Sequence, residues 1–169
     1  MPDLKDAELT NVDIFNIVAG IIFARLYNAF PIPTEIDPRS IALKVLGSDR
    51  YSKRHFLAGS LREDDLTDET PEGSRYSTIA RHSGSWLMQC GFIICVPNSS
   101  RPELYVLSPK GFEALAAVPA SLTATSETKA LGKQLTSAAA TVGDRASTAV
   151  ISNIVGQVIG VAARSLMGG

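Results

Sequence analysis

The stretch ASTAVISNIVGQVIGVAA, residues 146–163, contains no charged side chain and lies between Arg145 and Arg164. As a helix, it reaches the lower limit of length for crossing a bilayer. On a helical wheel at about 100° per residue, apolar side chains cover most of its circumference. A helix of this kind has to bury itself against protein or against lipid. This requirement constrains the fold of the chain more than any other sequence feature.

The same helical wheel separates a stripe of small residues that includes Gly156 and Gly160. Each glycine inside a helix costs about 1 kcal/mol relative to alanine, so close packing against another backbone has to compensate. We therefore predict one long, apolar, Gly- and Ala-rich helix from Leu131 to Met167, within a helical oligomerisation tail formed by residues 129–169. The candidate contact residues of a homo-oligomer are Ala149, Ser152, Gly156, Gly160, Ala163, Ile151, Val155 and Val158.

Three environments for this tail remain open. The favoured one is protein: the helix packs on the rest of the chain or pairs with its copy in a dimer. Membrane insertion is less favoured, because five polar residues resist hydrocarbon and no aromatic or basic flank anchors the segment. Those five residues are Ser147, Thr148, Ser152, Asn153 and Gln157. The third environment is a higher-order assembly of stacked tails.

Upstream of the tail, apolar residues recur at helical spacing in two segments. They predict a first helix between Thr10 and Pro31 and a third that begins near Ser74 and stops at Gly91. Between them, Pro38 at a helix start and Gly47 at a helix end predict a short second helix. Thr10 with Asp13, and Asp37 before the second helix, have the residue types that cap helix starts. These signals indicate a mainly helical first half.

The next segment carries the signals of a hairpin followed by a helix. FIICV and LYVL are rich in β-favouring residues and flank PNSSRPE, which is rich in turn formers. SPKGFEALAAV then begins a helix, with Ser108 as its cap and Pro109 in its first turn. We therefore predict an α+β domain over residues 1–118, followed by a Ser-, Thr- and Ala-rich linker over residues 119–128.

The succession of WLMQCGFI, a hairpin and YVLSPKGFEAL resembles the recognition helix, wing and following helix of winged-helix proteins such as the MarR-like and PadR-like regulators. The matching positions are Leu87, Gly91, Phe92, Ile93, Leu107, Ser108 and Gly111. The resemblance implies a winged helix-turn-helix domain that binds DNA and regulates transcription, although the same fold also serves protein contacts. FPIPTEID, WL…GFI and VPASL are similar to segments of small bacterial proteins, a likeness that implies no function.

Duplex DNA is read by side chains on the solvent face of a recognition helix, while Arg and Lys neutralise phosphates. The candidate DNA-binding residues are Arg75, Thr78, Arg81, His82, Ser85 and Gln89 on the third helix and Arg101 in the wing. The net charge of −1 and the pI of about 6.1 oppose this interpretation, because most nucleic-acid binders have a basic field. A protein partner is therefore the alternative to DNA.

Enzyme motifs are missing from the sequence. It has no phosphate-binding Gly-rich loop, no Gly-x-Ser-x-Gly elbow and no histidine pair at metal spacing. In HSGSW, His82 and Ser83 are neighbours on a helix and point about 100° apart. Cys90 and Cys95 are too few and wrongly spaced for a disulfide framework or a zinc site. We therefore expect no catalytic residue, metal or cofactor. We also expect a cytoplasmic protein, because MPDLKDAELT lacks the apolar core of a secretory signal.

Overall fold

The computed structural model describes residues 9–46, 71–97, 103–117, 130–142 and 145–167. Helix α1 (Asn11–Ala29) is the central element, and the other described helices pack around it. Ten of its residues are buried, from Ile14 to Leu26. The predicted linker, residues 119–128, and the candidate wing residue Arg101 lie outside the described residues.

Helix α1 starts at the capping pair that the sequence predicts. The Thr10 hydroxyl accepts a hydrogen bond from the Asp13 amide at 3.2 Å. The Asp13 carboxylate accepts hydrogen bonds from the Thr10 hydroxyl at 2.6 Å and the Thr10 amide at 3.0 Å. These two bonds hold the pKa of Asp13 below its ordinary value. The predicted helix start is confirmed.

A short strand and two further helices follow α1 in the described part of the chain. Strand β1 (Thr34–Glu35) was not predicted, because a strand of two residues has no alternation to detect. Helix α2 (Pro38–Leu46) begins as expected, with the Asp37 carboxylate accepting the amides of the next turn. Helix α3 (Pro71–Gln89) packs against both α1 and α2.

The predicted hairpin is present and belongs to a three-stranded antiparallel sheet. Strand β2 (Ile93–Val96) pairs with β3 (Leu104–Leu107), so that Ile94 lies opposite Val106. Strand β3 also pairs with β1, which gives the order β1-β3-β2. Helix α4 (Pro109–Ala116) follows β3 directly. The mainly helical chain with one small antiparallel sheet confirms the α+β class.

The single long helix predicted for the tail is wrong, because the structure contains two helices there. They are α5 (Leu131–Ala140) and α6 (Arg145–Met167). Thr141 ends α5, its backbone leaving the helical region at φ −111° and ψ 27°. Thr141, Val142 and Gly143 all have lower helix propensity than the Ala run before them, so the helix ends where its propensity falls.

Helices α5 and α6 pack on α1 and on α4, so the tail shares one hydrophobic core with the upstream elements. Leu135, Ile151, Val155 and Val158 are completely buried in that core. Gly20 of α1 permits the approach, because a Cβ at that position would overlap the Ile151 side chain. Of the α6 side chains that the structure describes, Ile151, Ile154, Val155 and Val158 are therefore covered by the same chain.

Of the described helices, α1 alone is long and apolar enough to cross a membrane by length and composition. The core helix of a soluble protein passes the same test, and 56% of the residues in the apolar part of α1 are buried.

Candidate functional site

Helix α3 presents one buried face and one polar exposed face. Tyr76, Ser77, Ala80, Ser83 and Leu87 are buried against the core. The exposed positions recur at three- and four-residue steps on the opposite side, which is the spacing of one helix face. They are Thr78, Arg81, His82, Met88 and Gln89, with Ser85 half-buried among them. The structure thus brings five of the predicted DNA-binding residues together on one surface, which we call the α3 face: Thr78, Arg81, His82, Ser85 and Gln89.

Arg75 lies on the side of α3 that faces α1. Its guanidinium donates hydrogen bonds to Asn11 Oδ1 at 2.8 Å and 3.1 Å and to the Leu9 carbonyl oxygen at 2.9 Å. The side chain therefore ties the first turns of α3 to the start of α1. Arg75 therefore does not lie on the α3 face with the other predicted DNA-binding residues.

The two serines beside His82 are engaged with their own helix. Ser83 is buried and donates its hydroxyl hydrogen to the Ile79 carbonyl oxygen at 2.7 Å. Ser85 donates to the Arg81 carbonyl oxygen at 3.3 Å and is half-buried. His82 is exposed and Ser83 is buried. The histidine and this hydroxyl thus lie on different faces of α3.

The end of α3 is held in place by a turn and by a lysine. Gly91 has a positive φ of 73°, which glycine adopts without strain. Lys110 of α4 donates to the Cys90 carbonyl oxygen at 2.8 Å, and its ammonium lies 4.6 Å from the centre of the Phe92 ring. A cation at a helix C-terminus is favourable, because the last carbonyls carry partial negative charge.

Strand β3 and helix α4 are joined to the same turn through Ser108. The Ser108 hydroxyl donates to the Gly91 carbonyl oxygen at 2.6 Å and accepts the Gly111 amide at 3.0 Å. Gly111 packs directly on the Phe92 carbonyl oxygen, where a Cβ would collide. These contacts fix the hairpin and α4 relative to the end of α3.

Apolar side chains lie on both borders of the α3 face. Trp86 is 40% exposed and meets Phe15 of α1 edge-on, with ring centres 5.2 Å apart. Val12, one turn before Phe15, is 66% exposed. Met88 is exposed on the other border. Trp86 follows the apolar spacing of α3, yet the structure leaves its indole partly in solvent.

The hairpin carries an acid, Glu103, just before β3. The hydroxyl of Tyr105, which lies in β3, donates to Oε2 of Glu103 at 2.6 Å. Burial, together with this carboxylate, raises the pKa of Tyr105, so the phenol remains protonated and keeps donating. Ile94 of β2 is exposed at the free edge of the sheet.

A pair of cations lies away from the predicted site. Arg25 of α1 donates to the Glu35 carbonyl oxygen at 3.5 Å. Partial burial lowers the pKa of Lys44 in α2, and repulsion from Arg25 lowers it further. Sequence reasoning missed this pair, because 19 positions separate two residues that no motif connects.

The structure divides the predicted oligomerisation residues between two faces of α6. Ile151, Val155 and Val158 are buried in the chain's own core, as described above. Ala149 and Gly156 are exposed, and Ser152 and Gly160 are half-buried. A Cβ at Gly156 or Gly160 would meet no atom within 4 Å. Ala163 lies in the part of α6 whose side chains the structure does not describe.

Within the described ranges, no group of three or more His, Cys, Asp or Glu side chains is placed to hold a metal ion. Cys90 and Cys95 are free thiols there. Comparison of the chain with protein-family models, with curated proteins and with solved structures found no match. Any functional assignment therefore depends on the chemistry of the surfaces described above.

Proposed function

We propose that the chain is a winged-helix DNA-binding regulator of the MarR- or PadR-like kind. Helix α3 would enter the major groove, and the β2–β3 hairpin would act as the wing beside it. The C-terminal helix α6 would join subunits. The order of helix, hairpin and following helix agrees with the resemblance on which this proposal rests.

The residues that carry the resemblance have structural roles at the junction of these elements. Leu87, Phe92, Ile93 and Leu107 are buried, and the turn between them requires Gly91 in its positive-φ conformation. Ser108 and Gly111 then lock α4 onto that turn, as described above. This agreement supports the fold in the proposal, while its function depends on the exposed surface.

The observation that carries the DNA-binding proposal is the charge and polarity of the α3 face. Residues 73–102, which include most of α3, all of β2 and the hairpin turn, contain no Asp or Glu. Arg81 and His82 are exposed within that range, beside Thr78 and Gln89. The nearest acids in sequence, Glu72 in the first turn of α3 and Glu103 before β3, lie just outside this range, so the α3 face itself carries no carboxylate. Local positive charge is what counterion release requires.

Binding of full-length protein to labelled random duplex DNA, followed by fluorescence anisotropy at low and moderate salt, tests the proposal. The affinity should fall as salt rises and should also fall for Arg81→Ala. The matched control is Lys133→Ala, which removes an exposed cation on α5. The absence of binding at low salt, or an equal loss in both variants, would refute the assignment to α3.

Assembly through α6 is the second part of the proposal. A dimer would double the number of phosphate contacts, which one subunit supplies only sparsely. The support is that Gly156 and Gly160 are not required by packing within the chain, although glycine destabilises a helix. Gly156→Leu should lower the mass measured by light scattering. An unchanged mass would remove this face from the interface.

A protein-interaction module is the second candidate function, and a specific observation favours it. Val12, Phe15 and Trp86 form an apolar surface patch beside the α3 face, and such patches mark protein contacts. If the chain is a protein-interaction module, the full-length protein should not bind duplex DNA. Val12→Ser should then abolish recovery of its protein partner. The DNA proposal predicts that the same variant keeps its affinity for duplex DNA.

A further inference from the structure

The exposed side chains of α3 differ in which base pairs they can recognise. In the major groove, adenine offers N7 as acceptor and the N6 amino group as donor, a pair that a Gln or Asn amide matches. Gln89 is exposed near the end of α3, and its amide has both a donor and an acceptor. The side chain therefore has the chemistry for adenine.

Thymine bases also find complementary groups on α3. Thymine presents its C5 methyl group, which apolar atoms and the Thr methyl contact favourably. Thr78 and Met88 are both exposed on α3, and Met88 adjoins Gln89 in the sequence. Thr78 lies 11 positions before Gln89, about 16 Å along the helix, so α3 offers contacts to adenine and to thymine at separate base pairs.

G·C pairs meet fewer complementary groups on this face. Cytosine is recognised through its N4 amino group by Asp or Glu, and residues 73–102 contain neither. Guanine is recognised through O6 and N7 by Arg or Lys. Because Arg75 is bonded to Asn11 and Leu9, Arg81 is the guanidinium that the described part of α3 exposes for this purpose.

We infer that the α3 face, with Met88, selects duplexes that present A·T pairs in the major groove, through Gln89 to adenine and through Thr78 and Met88 to thymine methyl groups. This inference rests on the proposed DNA-binding function. Arg81 limits guanine recognition to one position per subunit and otherwise contacts phosphate.

The test compares full-length protein on fluorescent duplexes of equal length at one fixed salt concentration. Alternating A·T and alternating G·C duplexes are the first two probes. A third contains inosine in place of guanine, which keeps O6 and N7 in the major groove but removes the 2-amino group from the minor groove. The A·T duplex should bind about tenfold more tightly than the G·C duplex, since one good base contact contributes roughly that factor. The inosine duplex should bind like the G·C duplex.

Chemical changes to the bases and one variant locate the contacts. Replacing thymine by uracil removes the C5 methyl group, and replacing adenine by 7-deazaadenine removes the N7 acceptor. Each replacement should weaken wild-type binding several-fold. Gln89→Ala should lose its sensitivity to 7-deazaadenine while keeping its sensitivity to uracil. Lys133→Ala should behave like wild type with every probe.

The outcomes separate this inference from the function on which it rests. Equal salt-sensitive binding to all duplexes would overturn the inference and leave DNA binding by α3 intact. An A·T preference that the inosine duplex shares would assign selectivity to the minor groove or to duplex shape and would equally overturn it. The absence of binding to any duplex at low salt would overturn both.

Discussion

At the scale of single residues, glycines distinguish packing within the chain from packing outside it. Gly20 lies where α1 meets α6, and a Cβ there would overlap Ile151. Gly156 lies on the outer side of α6, with open space around it. The sequence shows only that both are glycines inside helices. Which of them a neighbouring backbone requires depends on how the helices pack.

Gly20→Ala is therefore expected to destabilise the protein by about 1 to 3 kcal/mol, because overpacking a core displaces its neighbours. Gly84→Ala in α3 is the matched control, because a Cβ there would also meet open space and Gly84 lies outside the proposed α6 interface. It should stabilise the chain by up to about 1 kcal/mol, since alanine has the higher helix propensity. Urea denaturation followed by circular dichroism measures both. A stabilising Gly20→Ala would mean that α6 does not pack on α1.

Thr10 and Asp13 allow a prediction about pH. The Thr10 hydrogen bonds lower the pKa of Asp13 in the folded state. Their stabilising effect is therefore present above the ordinary pKa of an aspartate and is lost as pH falls through the lowered one. Thr10→Ala should cost about 1 kcal/mol at neutral pH.

Thermal denaturation between pH 7 and pH 2 measures this difference, which should shrink toward the acid end as Asp13 becomes protonated. Thr78→Ala, which removes an exposed threonine from the middle of a helix, serves as the control. A Thr10→Ala deficit that stays constant down to pH 2 would contradict the coupling to Asp13.

At the scale of elements, local signals predicted most of the secondary structure. Thr10, Asp37 and Ser108 each cap a helix that begins where expected. The hairpin follows from two β-favouring runs around a turn-forming segment. Strand β1 exists because β3 offers Thr34 and Glu35 a partner, and no local pattern could show that. The break between α5 and α6 was missed because a modest fall in propensity at Thr141 was outweighed by the apolar periodicity on both sides.

Ser108 is expected to matter more than a cap alone. Its hydroxyl both accepts the Gly111 amide and donates to the Gly91 carbonyl oxygen. Ser108→Ala removes the cap and a second hydrogen bond, so it should cost about 1 to 2 kcal/mol. Ser85→Ala, which removes a hydroxyl that only bonds its own helix, should change stability by less than about 0.5 kcal/mol. Equal effects in chemical denaturation would contradict this role of Ser108.

The candidate site was predictable only in part, because helical spacing does not show which residues contact other elements. Helical spacing placed Thr78, Arg81, His82, Ser85 and Gln89 on one face of α3, and the structure places them there. The same spacing could not foresee that Arg75 would be bonded to Asn11 and Leu9. Nor could it show that Trp86 would be partly exposed, because the position of α1 sets how much of the indole is covered.

At the scale of the whole molecule, the predicted domain of residues 1–118 and the predicted tail of residues 129–169 share one hydrophobic core. Leu131, Leu135, Ile151 and Val155 belong to the same cluster as Ile14 and Phe23. The sequence correctly required α6 to bury its apolar stripe, but it left open which surface would receive it. In the structure, α1 receives it.

Truncation after residue 129 is therefore expected to expose the α5- and α6-facing side of α1 and to abolish cooperative unfolding. Differential scanning calorimetry of the truncated and full-length chains measures this loss. The control is the full-length Gly156→Ala chain, which alters α6 without uncovering the core. A truncated protein that still unfolds in one transition at the full-length temperature would show that residues 9–117 form an independent domain.

The central claim is that the α3 face contacts DNA, and the protein's own tryptophan fluorescence can test it. Trp86 is the only tryptophan of the chain, and its partly exposed indole borders that face. Titrating full-length protein with unlabelled duplex DNA at low salt, we predict a saturable change in tryptophan emission that moves to higher DNA concentration as salt rises. As a control, Lys133→Ala should show the same change in tryptophan emission as wild type. Tryptophan emission that stays constant as DNA is added would contradict the claim that the α3 face meets DNA.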